Sequence, residues 1–519
     1  MRILGTILLF NVLLLAKGFK ILVLVPYSGK SHWYVFRPIL EELVKRGNDV
    51  TVVSNFPREK PLKNYHDISI AGPLTVSSHT KSMNVIGSRR PVEEMKVILN
   101  KGVEEVCRKA LAHPKVQALI ESNVTYDIII NEVFNTDCFL GFVYKFKAPL
   151  VGVRTASLNP WSNDRIWNPD NPSYIPNSLL GKPSRMNYFE RLENFVWLWY
   201  YKILYRHYDL ISTNIAREHF GKDMPELSEI AKNTSLILVN SHLAYQYAKP
   251  QVPGVKDIAG IHLEPNKTIP KELKDWIAGS TNGTVFISFG SMIRSSSISD
   301  SKRKAFFDAF SELPFRFLMK WEADNLTDVP ENVMKFQWAP QYDILCHPKI
   351  KLFISHGGML STIEALYAGK PMIVIPAFGD QHTNAALLQE KGLAVVLQYS
   401  AITKDAVIEA LKKVLYDSSY QKKAEEMSEV IRDRIVPPVE EAAYWIEYIG
   451  RHKGAPFMQI SAHGMPLYQY LLLDVIGTLL ILAISVVLIL FIFLRQIFCF
   501  LFETWRKVND KNGNEKKKN

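Results

Sequence analysis

The sequence predicts an α/β protein, with two doubly wound domains facing each other across a cleft and one membrane-spanning helix behind them. Three observations carry this. An apolar strand at 19–25, an amphipathic helix at 31–46 and a strand at 49–54 make one strand–helix–strand unit. After a Pro-, Gly- and Asn-bearing stretch near 250–280, a fresh strand at 284–291 opens a second series. Finally, Leu471 to Leu494 is almost wholly apolar, as long as the roughly 20 residues that a bilayer needs. A chain of 519 residues is also too long for one ordinary core.

The elements follow in order. Met1-Arg2, the apolar run Ile7 to Ala16 and the small residues around Ala16-Lys17-Gly18 describe a secretory signal peptide, 1–18. Phe19 to Val25 supplies a first strand without it. The first domain, 19–265, continues through the loop Pro26 to Lys30, the helix, Gly47 and the strand Asp49 to Ser54. A helical stretch from Val92 to Glu121 precedes a strand at Tyr126 to Ile130. Residues 160–225, rich in Trp, Tyr, Asn and Pro, read as an insertion of loops and aromatic helices, and Leu236 to Asn240 as another strand. A linker at 266–282 leads to the second domain, 283–436, with a helix at 301–313 and strands at 316–320, 335–336, 351–355 and 371–376. A return segment at 437–469, the span at 470–494 and a basic tail at 495–519 complete the chain. Ligands of open α/β sheets bind beyond the carboxyl ends of the strands, so the cleft between the halves is the expected site.

The net charge of +11 owes part of its size to the tail, and the other basic residues are scattered, which gives nucleic-acid binding little support. Arg495, Arg506, Lys507, Lys511 and Lys516 to Lys518 lie beyond the span and favour the cytosolic side, so the body is expected to be lumenal with a type I topology. The end, Lys516-Lys517-Lys518-Asn519, resembles the dilysine retrieval signal of endoplasmic-reticulum membrane proteins, a receptor-read address. Sequons at Asn123, Asn233, Asn266, Asn282 and Asn325 fit a lumenal body. The four cysteines, Cys107, Cys138, Cys346 and Cys499, match no zinc spacing and are too sparse for a disulfide scaffold.

His356-Gly357-Gly358 joins an apolar run to a helical segment. It reads as a tight turn, as part of a metal site with His347, or as a phosphate seat. The last would use the glycines for close backbone approach and the N–H groups and positive dipole end of the helix for an anion. The metal reading lacks a carboxylate cluster near His347. Ser361-x-x-Glu364 fits a capping box, but the helix already begins near Gly358. About two turns in, the Glu364 carboxylate can accept from the two adjacent hydroxyls of a ribose.

The surroundings decide between these. Phe336-Gln337-Trp338-Ala339-Pro340-Gln341, His347-Pro348, Phe353-Ile354-Ser355-His356-Gly357-Gly358, Ser361, Glu364-Ala365, Gly369-Lys370-Pro371, Pro376, Asp380-Gln381 and Asn384-Ala385 strongly resemble the donor signature of the UDP-glycosyltransferase family. The resemblance runs along almost the whole chain, including its leader, span and tail, as in the membrane-bound animal members. Asn135 to Gly141 is similar to the insect pattern. It implies two Rossmann-like domains in the GT-B arrangement, with Trp338 stacking on uracil, Gln341 beside the nucleoside and Glu364 on the ribose hydroxyls. His356, Ser361, the Gly357-Gly358 turn and Ser291 would bind the diphosphate, and Asp380 and Gln381 the sugar hydroxyls. Many relatives carry Asn where this chain has Leu360, so one polar contact is missing. The chain has no Asp-x-Asp, so no metal or other cofactor is expected. Helix dipole and imidazole would offset the leaving-group charge.

In the first domain, Pro26-Tyr27-Ser28-Gly29-Lys30-Ser31-His32-Trp33 puts His32 near a helix N-terminus at the cleft. A lone histidine is usually structural. The resemblance makes it the general base that takes the proton of an attacking hydroxyl, giving displacement with inversion. Such a base needs a carboxylate on its other nitrogen. Asp137, retained in the insect-like pattern, is favoured as that partner, and Glu132, at the position of a vertebrate Asp, is the second candidate. The expected activity is transfer of a hexose, glucose by the insect likeness, from a UDP-sugar donor to hydroxyls of small lipophilic acceptors. Glucuronate transfer, or a catalytically silent binding protein of the same fold, is the alternative. Homo-oligomerisation is left open.

Overall fold

The computed structural model describes residues 18–72, 91–323, 326 and 328–515. The signal peptide up to Lys17, the Asn325 sequon and Lys516-Lys517-Lys518-Asn519 lie outside them. The chain divides into a large unit, Met1–Gln459, and a smaller one, Ile460–Asn519.

The large unit holds two parallel sheets. In the first, β1 (Lys20–Val25), β2 (Asp49–Ser54), β3 (Tyr65–Ser69), β4 (Ile128–Glu132), β5 (Leu150–Arg154), β6 (Thr234–Val239) and β7 (Val255–Asp257) lie in the order β3-β2-β1-β4-β5-β6-β7. In the second, β8 (Thr284–Ser288), β9 (Arg316–Lys320), β10 (Val333–Phe336), β11 (Ile350–Ser355), β12 (Met372–Val374) and β13 (Ala394–Val396) lie in the order β10-β9-β8-β11-β12-β13. Each sheet therefore reverses its winding once, between β1 and β4 and between β8 and β11. The crevice outside such a reversal is where doubly wound sheets bind ligands.

The central strands are apolar on both faces because helices cover both. Ile21, Val23 and Val25 of β1 enter one core, Leu22 and Leu24 the other. The helix Lys30–Lys45 packs through Phe36, Ile39, Leu40 and Leu43, spaced to form one stripe. The same core takes Ala442, Ala443, Ile446 and Ile449 from the helix Pro438–Arg451, so the return segment crosses back onto the first domain.

Three features go beyond the sequence-based expectation. The insertion is dominated by one 33-residue helix, Tyr188–Phe220, which starts with a capping box made by Asn187 and Glu190. The linker contains the helix Lys271–Ala278, whose Leu273 and Ile277 join a core of the second domain. Cys107 and Cys138, two of the cysteines too sparse for a disulfide scaffold, form one disulfide with Cα atoms 5.7 Å apart. Their 31-residue separation carries no pairing signal, and only the packing of the helix 102–110 onto the segment after β4 brings them together.

In the smaller unit the span continues as one helix, Leu473–Glu515, beyond the expected boundary at 494. Leu473–Asp510 is long and apolar enough to cross a membrane, its most apolar window having mean hydropathy 3.2. The basic residues at its end do not interrupt it, because Lys and Arg are good helix formers.

Candidate active site

A cleft of about 320 Å³ opens between the carboxyl ends of the two sheets, lined from both domains. His32 lies in the first turn of the helix that follows β1, and Glu132 is the last residue of β4. They flank the reversal point of the first sheet. His32 Nδ1 and a Glu132 carboxylate oxygen are in direct hydrogen-bond contact. Thr155 Oγ1 is 3.2 Å from the same nitrogen. The rings of Tyr27 and Phe134 pack together against the imidazole, 4.7 and 4.6 Å from it and 4.8 Å from each other. With Nδ1 held by Glu132, Nε2 is the nitrogen left for a reactant.

Asp137 is therefore not the partner of His32. It sits five residues past Glu132, at the entry to a short helical turn, where its carboxylate pairs with buried Arg165 and accepts from Tyr205 Oη at 2.8 Å. The backbone carries Asp137 away from the cleft into the core beneath the long helix. Glu132, at the tip of the strand beside β1, needs no loop to curl back.

The second sheet repeats the arrangement. Ser291 follows β8 and His356 follows β11, again on the two sides of a reversal. Gly357 has φ +77°, and a Cβ added at Gly290 would come within 2.7 Å of His356 Cε1. A Cβ at Gly358 would fall on the ring itself. The glycines are needed because the imidazole occupies the space where their side chains would stand. Gly358 caps the helix Met359–Tyr367, and Thr362 N–H donates to its carbonyl at 2.9 Å. Ser361 is thus inside the helix and the capping-box alternative falls. Among the described residues no three His, Cys, Asp or Glu side chains cluster as a metal would require, so His347 has no co-ligands.

Gln341 begins the short helix Gln341–Cys346 that precedes β11, and donates to Ser361 Oγ at 2.9 Å and to the Glu364 carboxylate. Burial pushes the Glu364 carboxyl up to about 7 against that hydrogen bond. Trp338 stands at the rim with 62% of its surface exposed, as a stacking platform would. Leu360 does not simply lack an amide. It packs against cores of both domains, and its carbonyl is 3.2 Å from His262 Nε2.

Asp380 and Gln381 follow β12. Gln381 Oε1 accepts from the Ala377 and Phe378 N–H groups at 2.9 and 3.1 Å, so only its amide nitrogen is left for a ligand. Burial raises the Asp380 carboxyl, opposed by Arg154 across the cleft and by Asn384. Asn384 Nδ2 donates both to Gly357 O at 2.9 Å and to Asp380 Oδ2 at 3.0 Å, which ties the glycine turn to the acid. Burial, followed by the charge of Lys320, lowers His356 to about 4, so its imidazole is neutral at pH 7.

Sequence reasoning placed His32, Ser291, Trp338, Gln341, His356, Gly358, Ser361, Glu364, Asp380 and Gln381, and all of them line this one cleft. Gly357 sits just beneath it. Thr155, Arg154, Lys320 and His262 were missed, and Asn384 was named in the signature without a role. Arg154 and Lys320 end their strands, which is the one signal that could have found them. Arg154 is buried and holds the next loop by donating to Ser157 O and Asn159 Oδ1 at 2.9 and 3.1 Å.

Two doubly wound domains facing each other across one cleft are the architecture of the GT-B glycosyltransferases. A sequence profile described as UDP-glucoronosyl and UDP-glucosyl transferase matches residues 20–508. The chain belongs to that family and transfers glycosyl groups from UDP-sugars. It is 38% identical over 489 residues to UDP-glycosyltransferase UGT5 of Dactylopius coccus, covering 92% of this chain and 91% of the relative. It is 37% identical to UDP-glucosyltransferase 2 of the same insect, covering 91% and 92%. Human UDP-glucuronosyltransferase 2B7 is 28% identical, covering 93% of each chain. Among solved structures, a UDP-glucose:anthocyanidin 3-O-glucosyltransferase in complex with UDP superposes with TM-score 0.55 at 16% identity. It covers 84% of this chain and 100% of its own, and at that identity it shows the shared fold.

Donor binding should depend on pH through Glu364. A ribose diol donates best to an ionised carboxylate, and this carboxyl titrates near 7. Affinity for UDP-glucose, whose diphosphate has no proton to lose in this range, should fall as pH drops from 8 to 5.5. The limit is about tenfold per pH unit, and Glu364→Gln should flatten the profile in calorimetric titration. For the free protein the sign is opposite. The native state holds this proton up to about 7 while the unfolded chain releases it near 4.5, so the group's contribution to stability declines as pH rises through that window.

Proposed function

We propose that the chain is an inverting transferase that moves glucose from UDP-glucose to hydroxyls of small lipophilic acceptors, with His32 as base and no metal. The observation that carries this is the His32–Glu132 pair facing, across one cleft, the His356-Gly357-Gly358 seat of the second domain. The acceptor side of the cleft is apolar, lined by Met95, Ile98, Phe134, Trp161 and Leu179. Such a wall suits the ring of a phenol or a lipophilic alcohol.

In the reaction the acceptor O–H gives its proton to His32 Nε2 as the oxygen attacks the anomeric carbon. The bond from that carbon to the β-phosphate oxygen breaks, and its electron pair leaves with UDP. Glu132 keeps the proton on Nδ1 in the resting imidazole and stabilises the imidazolium that forms. The Glu364 carboxylate would hold the ribose and the rim Trp338 the uracil, while Asp380 and the Gln381 amide would orient the sugar.

The setting supported best is a lumenal body in the endoplasmic reticulum, held by the C-terminal helix with the tail cytosolic. Asn123, Asn233, Asn266 and Asn282 are all exposed, and the Cys107–Cys138 disulfide suits an oxidising compartment. The test is to incubate the full chain with UDP-glucose or UDP-glucuronate and a panel of phenols, following UDP release. UDP release with glucose as donor is expected. Faster turnover of UDP-glucuronate would reverse the donor assignment, and no release with either would leave a binding protein.

A further inference from the structure

We propose that Lys320 is a diphosphate-contacting residue of the donor site, a fixed cation that meets the phosphates where they part from the sugar. This rests on the reading of the second domain as the UDP-sugar site and adds a residue which that reading does not contain.

Lys320 is the last residue of β9, the strand paired with β8, so its side chain arises beside the turn that carries Gly290 and Ser291. Nζ donates to Gly290 O at 2.6 Å, and Gly290 in turn closes on the His356 ring. Lys320 therefore lines the cleft in the same corner as Ser291 and His356. Its side chain is 16% exposed. An ammonium has three N–H donors, and Gly290 takes one. Glu322 stands at 3.8 Å, an ion pair without hydrogen-bond distance, and its other oxygen receives Ser296 N–H at 3.3 Å. Donors are left for an anion in the cleft.

Charge bookkeeping points the same way. When the sugar–phosphate bond breaks, the departing oxygen keeps the electron pair and UDP gains a negative charge. His356 is neutral and can give a hydrogen bond but no charge. The helix Met359–Tyr367 offers about half an elementary charge at its N-terminus. Lys320 adds a whole one. Burial disfavours the Lys320 ammonium first, and the charge of Lys30, on the helix that carries His32, adds to this; an anion in the cleft would offset both.

A plainer role would be to hold the Gly290 turn, and the test separates the two. Uridine, UDP, UDP-glucose and UDP-glucuronate are titrated calorimetrically into the detergent-solubilised full chain and into Lys320→Gln and Lys320→Arg. Loss of one charge-assisted contact predicts that Lys320→Gln binds UDP and UDP-glucose about 10- to 100-fold more weakly. Uridine binding should stay within about twofold, and Lys320→Arg should restore most of the UDP affinity. Equal loss for uridine and UDP would make Lys320 structural and overturn the proposal. So would unchanged UDP binding, or a loss confined to UDP-glucuronate, which would place the cation on the sugar. A wild-type chain that binds no UDP would instead overturn the donor-site reading itself.

Discussion

His32→Ala abolishes glycosyl transfer while UDP affinity stays within about twofold of the wild type. A positioned base contributes roughly 10²- to 10⁴-fold, so a fall in kcat on the order of 10³ is expected in a UDP-release assay. Donor affinity is spared because His32 belongs to the first domain, whereas Trp338, Glu364 and His356 belong to the second. The size of the effect follows from the surroundings. With Nδ1 on Glu132 and the ring packed against the Tyr27–Phe134 pair, His32 has one free nitrogen and one orientation. Turnover that survives the substitution would refute the base assignment.

The second large effect is a contrast between two carboxylates five residues apart. Glu132→Gln should keep the fold and lose kcat by on the order of 10²- to 10⁴-fold, since a carboxamide neither fixes the tautomer nor stabilises the imidazolium. Asp137→Asn should do the reverse. It leaves the Arg165 guanidinium buried without its counter-charge, which costs about 3–5 kcal/mol. Asp209, pushed up to about 7 by burial and by the Asp137 charge, would ionise more readily and recover part of that loss. Thermal melting and kcat measured on both variants would settle the assignment. Lost activity with unchanged melting in Asp137→Asn would reinstate it as the histidine's partner.

Much of this architecture was legible because local rules sufficed. The β1–helix–β2 unit and the β11–glycine–helix junction are contiguous, and apolar runs, helix periodicity and a glycine turn announce themselves within a dozen residues. The donor signature is likewise compact, so nine of its residues in or just beneath the cleft could be named by position, with Ser291 and His32 outside it. What stayed hidden depends on separation along the chain. His32 and Glu132 are 100 residues apart, and whether Glu132 or Asp137 turns to the cleft depends on where β4 ends, a boundary that periodicity places only to within a residue or two. Lys320 beside Gly290 is decided by strand order, and the Cys107–Cys138 pairing and the Asn384 bond to Gly357 by how helices pack on the sheets and their loops. Strand order comes from packing whole elements and leaves no trace in any single window.

The division has a physical basis. By itself the sequence determined the two α/β series, the apolar C-terminal helix, the glycine turn at a helix mouth and the family they belong to, because these follow from patterns of neighbouring residues. Only the tertiary structure decided which carboxylate meets His32 and which lysine lies beside Gly290. Hydrogen bonds and charges act over a few ångströms in space, and the residues that supply them here are brought within reach by parallel sheets whose strands lie far apart in the chain.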